Sequence, residues 1–177
     1  GLERIGRRRG REGIEQPSPN IVNGHDVWHC YELSWMLPDG TVTFTTGALI
    51  IPADSSFTVE SKSLKLYLNS LNAHVFNDDE VAIACIEKDL SELTQSQVRL
   101  VRVDPGELQA TSSKLDDDAV RVGDLEGTVA FRSTGFRSLC PVTAQPDWAS
   151  LCIEVSASHY DESSIMAAIE SLRNHQG

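Results

Sequence analysis

Residues 27–35 read Val27-Trp28-His29-Cys30-Tyr31-Glu32-Leu33-Ser34-Trp35, a run of aromatic and β-prone residues. Asp39-Gly40 and then the β-branched stretch 41–51 follow. Two such runs joined by an Asp-Gly turn predict an antiparallel hairpin. The next segment changes period. In Ser61-Lys62-Ser63-Leu64-Lys65-Leu66-Tyr67-Leu68-Asn69-Ser70-Leu71, the residues Leu64, Tyr67, Leu68 and Leu71 form one apolar stripe at helical spacing. Lys62, Lys65 and Asn69 project from other faces. Asn77-Asp78-Asp79-Glu80 has the composition of a second helix start, continued by Ile83, Ile86, Leu90 and Leu93. A strand over 98–103 closes the group, ended by Asp104-Pro105-Gly106.

After the polar stretch 111–118, strand-like residues (Val120, Val122, then 128–131) lead to Leu139-Cys140-Pro141-Val142-Thr143-Ala144-Gln145-Pro146-Asp147-Trp148. In the strand beyond it, Leu151, Ile153 and Val155 alternate with Ser150, Cys152 and Glu154. A helix capped near Asp161 carries Ile165, Ile169 and Leu172 on one side. The element order predicts an α+β protein: an irregular basic arm (1–23), a first module (24–110) and an incomplete second module of similar shape (111–177), without a sequence repeat.

Composition narrows the function classes. Five arginines and one acid fall within residues 1–11, leaving 10 basic against 25 acidic residues in the remainder of a chain of net charge −11. A body this acidic repels polyanions, so direct nucleic-acid binding is not expected of it, and the arm reads as a solvated tail. No apolar run is long enough to span a membrane. Four cysteines without C-x-x-C spacing read as free thiols of a reducing cytoplasm.

Two stretches invite chemistry. Glu60-Ser61-Lys62-Ser63 at a helix start combines a carboxylate, hydroxyls and an ammonium group. Free N–H groups there favour an anion such as phosphate, although a capped helix with solvated lysines has the same appearance. Cys140 lies in a loop constrained by two prolines. Its thiolate would attack an electrophilic carbon, and Asp147, kept protonated by partial burial, would supply a proton; a small buried cysteine is the plainer reading. His25, His29 and Cys30 lack a convincing fourth zinc ligand, so no metal is expected. Asp116-Asp117-Asp118 reads as a solvated loop, and Cys85 and Cys152 as packing residues.

Taken together, Glu60-Ser61-Lys62-Ser63-Leu64-Lys65-Leu66-Tyr67 and Cys140-Pro141-Val142-Thr143-x-Gln145-Pro146-Asp147 resemble the NADPH-dependent 7-cyano-7-deazaguanine reductases, the nitrile reductases of queuosine biosynthesis. Asp26-Val27-Trp28, Tyr31-Glu32-Leu33-Ser34-Trp35 and Leu68-Asn69-Ser70 match the long, two-module form. The resemblance implies tunnelling-fold modules, antiparallel sheets with paired helices on one face, assembled into a homo-oligomer. It implies that Cys140 adds to the nitrile carbon as a thioimide and that Asp147 transfers protons. Val59, Glu60 and Ser61 would contact the deazapurine, and Ser61 and Lys62 would lie toward NADPH. The family continues beyond the helix near Arg173-Asn174-His175 into a Phe-His-Glu segment and an Arg-Gly pair, and usually has more sequence between Phe131 and Arg137. A chain truncated at its C-terminus is therefore expected. The rival readings are an amidinotransferase-like thioimide enzyme and a non-catalytic purine-binding or assembly module.

Overall fold

The computed structural model describes residues 1–12, 19–104, 121–125, 128–156 and 161–176. The chain forms two compact units, Gly1–Ala110 and Thr111–Gly177. It is a mixed α+β protein with antiparallel sheets.

In the first unit the predicted hairpin is strands β2 (His25–Met36) and β3 (Val42–Pro52), with β5 (Arg99–Arg102) on the far side of β3. A bulge between Cys30 and Leu33 sets Tyr31 and Glu32 against one residue of β3. It shifts the inward face from Trp28 and Cys30 to Leu33 and Trp35. Gly47 sits where a Cβ would come within 2.9 Å of Leu100 and 3.1 Å of Leu33, so that neighbour pair packs over bare backbone.

Helix α2 (Ser61–Ser70) and helix α3 (Asp79–Thr94) supply the rest of the core. Leu64 and Leu71 of the predicted stripe are buried, as are Ala82, Ile86 and Leu90 of α3. Asp78 caps α3 by accepting from the N–H of Val81 at 2.8 Å. Trp35, fully buried, donates its indole N–H to Asp79 at 2.9 Å, and Arg102 pairs with the same carboxylate.

The arm predicted to be irregular is ordered at its start. Strand β1 (Arg4–Gly6) pairs antiparallel with β4 (Phe57–Val59), and helix α1 (Arg7–Arg11) follows. Local composition argued against regular structure because Gly6 and Gly10 interrupt every period, yet long-range contacts override it. Arg7 reaches Asp26 at 2.5 Å, the Ser55 hydroxyl and the Pro52 carbonyl, and its side chain is only 11% exposed. Arg11 donates to the Ala53 carbonyl, and Arg4 stacks over Phe57 at 4.0 Å. Three of the five arginines thus bind the body instead of solvating a tail.

The second unit has β6 (Arg121–Leu125), β7 (Thr128–Leu139) and β8 (Pro146–Ser156) in that order, followed by α4 (Glu162–Ser171), which Asp161 caps. Leu151, Ile153 and Val155 are half-buried and alternate with exposed neighbours. The stretch 128–139, read from sequence only as a fragmentary strand, is one strand with a bulge between Ser133 and Phe136. Residues 105–120 and 157–160, which include Asp116 to Asp118, lie outside the described residues.

The units repeat one plan. Met36, at the end of β2, accepts from Phe76 N–H and donates to the His74 carbonyl, which ties the return from α2 to the hairpin end. Leu139, at the end of β7, donates to the His175 carbonyl and bridges Gln176. The bulges stand at equivalent places. The same register aligns Ser70-Leu71-x-x-His74 with Ser171-Leu172-x-x-His175.

Candidate functional site

Cys140 is the residue that follows the anchored end of β7, and in the first unit the equivalent place is Leu37. Both begin a hairpin corner with a following proline. Leu37 N–H donates to Thr41 and Cys140 N–H to Gln145, at 2.8 and 2.9 Å. Gly40 (φ +85°) completes the first corner and Ala144 (φ +56°) the second. Ala144 thus holds a left-handed backbone without the freedom of glycine. The second corner thereby swaps a leucine for a thiol at a fixed point of the fold.

The corner also sets the chemistry of that thiol. The Thr143 hydroxyl first, then the N–H groups of Thr143 and Val142, favour the thiolate and hold Cys140 below its ordinary value of 9.0, while the Asp147 carboxylate opposes them. Thr143 was missed from sequence. The signal was the Cys-Pro-x-Thr spacing, which turns a threonine back toward residue 140. Asp147 stands on β8 opposite Ser138. It is exposed, so the partial burial expected to keep it protonated is not found among the described residues. Trp148, beside it and 62% exposed, has the guanidinium groups of Arg137 and Arg173 each 6.0 Å from its ring. Arg137 is itself held by the Arg173 carbonyl and by Asn174.

The other cysteines differ. Cys30 is half-buried and its thiol is pushed up to about 11 by desolvation. Burial also raises Cys85, on α3. Cys152 is exposed on β8.

The residues at the start of α2 form a second group, in the first unit. Val59 is 1% exposed, so contact with any ligand falls to its backbone. Glu60 is the cap of α2: its carboxylate accepts from the N–H of Lys62 at 3.0 Å and of Ser63 at 2.7 Å. Those bonds, led by that of Lys62, hold it below its ordinary value of 4.5. The free N–H groups that the sequence offered to a phosphate are therefore taken by Glu60. The N-terminal strand braces the same turn. Glu3 N–H donates to the Ser63 hydroxyl, and Glu60 N–H to the Glu3 carbonyl. Ser61 and Lys62 stand exposed. Deeper along α2, the Tyr67 hydroxyl donates to Asp89 at 2.6 Å, tying α2 to α3.

Between β2, β3 and α2 lies a groove of about 790 Å³ walled by Trp28, Tyr31 and Phe44 on the sheet side and by Ser61, Lys65 and Asn69 on the helix. Among the described residues no three His, Cys, Asp or Glu side chains gather as a metal site. No helix among them is long and apolar enough to cross a membrane.

The fold is that of an α+β protein with a cysteine at the hairpin corner of its second unit. The family described as "nitrile reductase, 7-cyano-7-deazaguanine-reductase N-term" matches residues 1–102, and the chain belongs to that family. It is 37% identical over 177 aligned residues to the NADPH-dependent 7-cyano-7-deazaguanine reductase of Acinetobacter baylyi (strain ATCC 33305 / BD413 / ADP1), covering 89% of this chain and 65% of that protein. The chain thus spans somewhat less than two thirds of that relative's length.

Proposed function

We propose that the chain reduces the nitrile of 7-cyano-7-deazaguanine to the aminomethyl group with NADPH, through a thioimide on Cys140, in queuosine biosynthesis. The observation that carries this reading is the hairpin corner, where Cys140 exchanges backbone hydrogen bonds with Gln145 and Ala144 and bonds from Thr143 and Val142 favour a thiolate. Membership of the family and the relative's name support the substrate and the cofactor. The two units are read as tunnelling-fold modules that assemble into a homo-oligomer, acting on a free deazapurine in the cytoplasm and not on nucleic acid.

In the proposed reaction the Cys140 thiolate forms a bond to the nitrile carbon, and the electron pair of one C–N π bond moves to nitrogen. That nitrogen becomes strongly basic and takes a proton from solvent, with Asp147, the second residue of β8, assigned to the proton transfer. Glu60 keeps a spare lone pair on Oε2, which accepts only the Ser63 N–H, so it can accept an N–H group of the purine. Val59 meets the base through its backbone, and Ser61 through its hydroxyl.

The donor set at the start of α2 fits a dinucleotide: the exposed hydroxyl of Ser61, which donates to Glu60 at 3.4 Å and keeps its lone pairs, and the unburied ammonium of Lys62 suit ribose and phosphate. When bound, NADPH supplies hydride, twice for each nitrile converted to the amine.

The test mixes the protein with the nitrile. A near-ultraviolet band and a mass increase on Cys140 are expected, both lost in Cys140→Ala. NADPH consumption in the same mixture separates reduction from transfer of ammonia to the thioimide. No adduct with the wild-type chain would sink the reading.

A further inference from the structure

Val59 and Glu60 carry the proposed contacts to the deazapurine, yet neither sets its own direction. We infer that the N-terminal strand β1 is a positioning element of the substrate site, aiming the Val59 main chain and the Glu60 carboxylate through the Glu3 backbone and the Ser63 hydroxyl. This rests on the proposed assignment of Val59 and Glu60 to the base and extends the site to residues 2–7.

The ladder of β1 with β4 decides where Val59 points. Glu60 N–H donates to the Glu3 carbonyl at 2.9 Å, and Arg7 N–H to the Ser56 carbonyl at 3.2 Å. Bonded and non-bonded pairs alternate in an antiparallel ladder, which leaves Arg4 and Val59 as a non-bonded pair. Val59 therefore turns its N–H and C=O away from β1. Its side chain is 1% exposed, so those peptide groups are what a ligand meets. β4 has three residues and, among the described residues, no strand partner but β1. A main-chain contact has no rotamer to adjust, and its accuracy is that of the strand beside it.

One hydroxyl joins this ladder to α2. A regular ladder has Glu3 N–H donate to the Glu60 carbonyl. Here Ser63 Oγ stands between them, accepting from Glu3 N–H and donating to the Glu60 carbonyl, both at 2.9 Å. The Glu3 carbonyl, already taken by Glu60 N–H, lies farther from it at 3.3 Å. Ser63 is 6% exposed, and its own N–H holds Glu60 Oε2 at 2.7 Å. Glu60 is thus gripped on its main chain by β1 and on its carboxylate by α2, with Ser63 common to both. Both ends of the segment are fixed: Leu2 packs on the core, and the Arg7 guanidinium holds Asp26 and Ser55.

Calorimetric titration of 7-cyano-7-deazaguanine into the full chain carrying Cys140→Ala measures binding apart from adduct formation. In that background Ser63→Ala removes the bridge and Glu3→Pro removes the N–H that feeds it, and each is expected to raise Kd about fivefold or more. Glu3→Ala keeps the main-chain bonds and is expected to stay within about twofold. With Cys140 in place, Ser63→Ala and Glu3→Pro should need about fivefold more nitrile for the half-maximal adduct rate and reach the wild-type rate at saturation. Circular dichroism melts keep every titration below unfolding. A Tm that falls while Kd holds would make β1 structural only and overturn the positioning role. A loss in Glu3→Ala equal to that in Glu3→Pro would overturn it too, because the effect would then belong to the side chain. The expected Kd changes with no adduct on wild-type Cys140 would overturn the proposed reaction alone. No binding by Cys140→Ala up to millimolar concentration would overturn the positioning role, while a normal wild-type adduct upholds the reaction.

Discussion

Glu60 provides the sharpest test of how the site is built, because one carboxylate caps α2 and is also assigned to the substrate. Glu60→Ala leaves the N–H groups of Lys62 and Ser63 without their acceptor. Losing an N-cap costs about 0.5–2 kcal/mol, and removing a negative charge from a helix start costs roughly 0.3–1 kcal/mol more. The expected total of about 0.8–3 kcal/mol corresponds to a fall of roughly 4–14 °C in Tm for a unit near 100 residues. Glu60→Gln keeps an acceptor and loses only the charge, so its fall is the smaller part. The pH dependence has a definite sign. Because the folded-state carboxyl titrates below its ordinary 4.5, its stabilisation is complete above that value and disappears as the pH falls through the lowered one. The gap in Tm between wild type and Glu60→Ala should be constant from neutral pH down to about 5 and shrink toward the gap between Glu60→Gln and Glu60→Ala as the pH falls through the lowered value. Thermal melts by far-ultraviolet circular dichroism across that range provide the measurement. A loss under 1 °C, or a gap as wide in acid as at neutral pH, would refute the assignment of Glu60 as the cap.

Iodoacetamide should alkylate Cys140 with a midpoint below 9.0, moved up in Thr143→Val and down in Asp147→Asn, since the hydroxyl favours the thiolate and the carboxylate opposes it; identical midpoints in all three would remove the corner's electrostatic role. Under the same conditions Cys30, with its thiol near 11, should react far more slowly. Arg7→Ala should lower the stability of the first unit by about 2–3 kcal/mol in urea, because it strands Asp26 and unpins α1; a change under 0.5 kcal/mol would make the ordered N-terminal segment a bystander. Leu90→Ala, at a fully buried site on α3, should cost about 2–5 kcal/mol by the same measurement.

What was legible in the sequence was short-range. β-prone composition on either side of Asp39-Gly40 located β2 and β3, period-2 alternation located β8, and the stripe from Leu64 to Leu71 located α2, because each signal is read within one element or one turn. The ordering of residues 4–11 was not legible. It depends on Val59 and Phe57 offering a strand edge and on Asp26 offering a carboxylate, all distant in sequence. The bulge in β7 broke the alternation across 128–139 and so hid the continuity of that strand. For the site, the cysteine and the helix start were recognisable as residue types. The helix start was read as open to phosphate because a glutamate before a helix gives no sign that its carboxylate will fold back onto Lys62 and Ser63. The groove was invisible for a related reason, since Phe44 and Lys65 become neighbours only when sheet and helix pack.

The paired hairpin corners carry a countable consequence. Since Leu37 holds in one unit the place that Cys140 holds in the other, duplication of the module has not duplicated the nucleophile. A stoichiometric thiol reagent at neutral pH should therefore titrate one fast equivalent per chain at a corner, however many copies of the chain assemble, and the density of reactive centres per unit mass is half that of a protein whose every module bears its own cysteine.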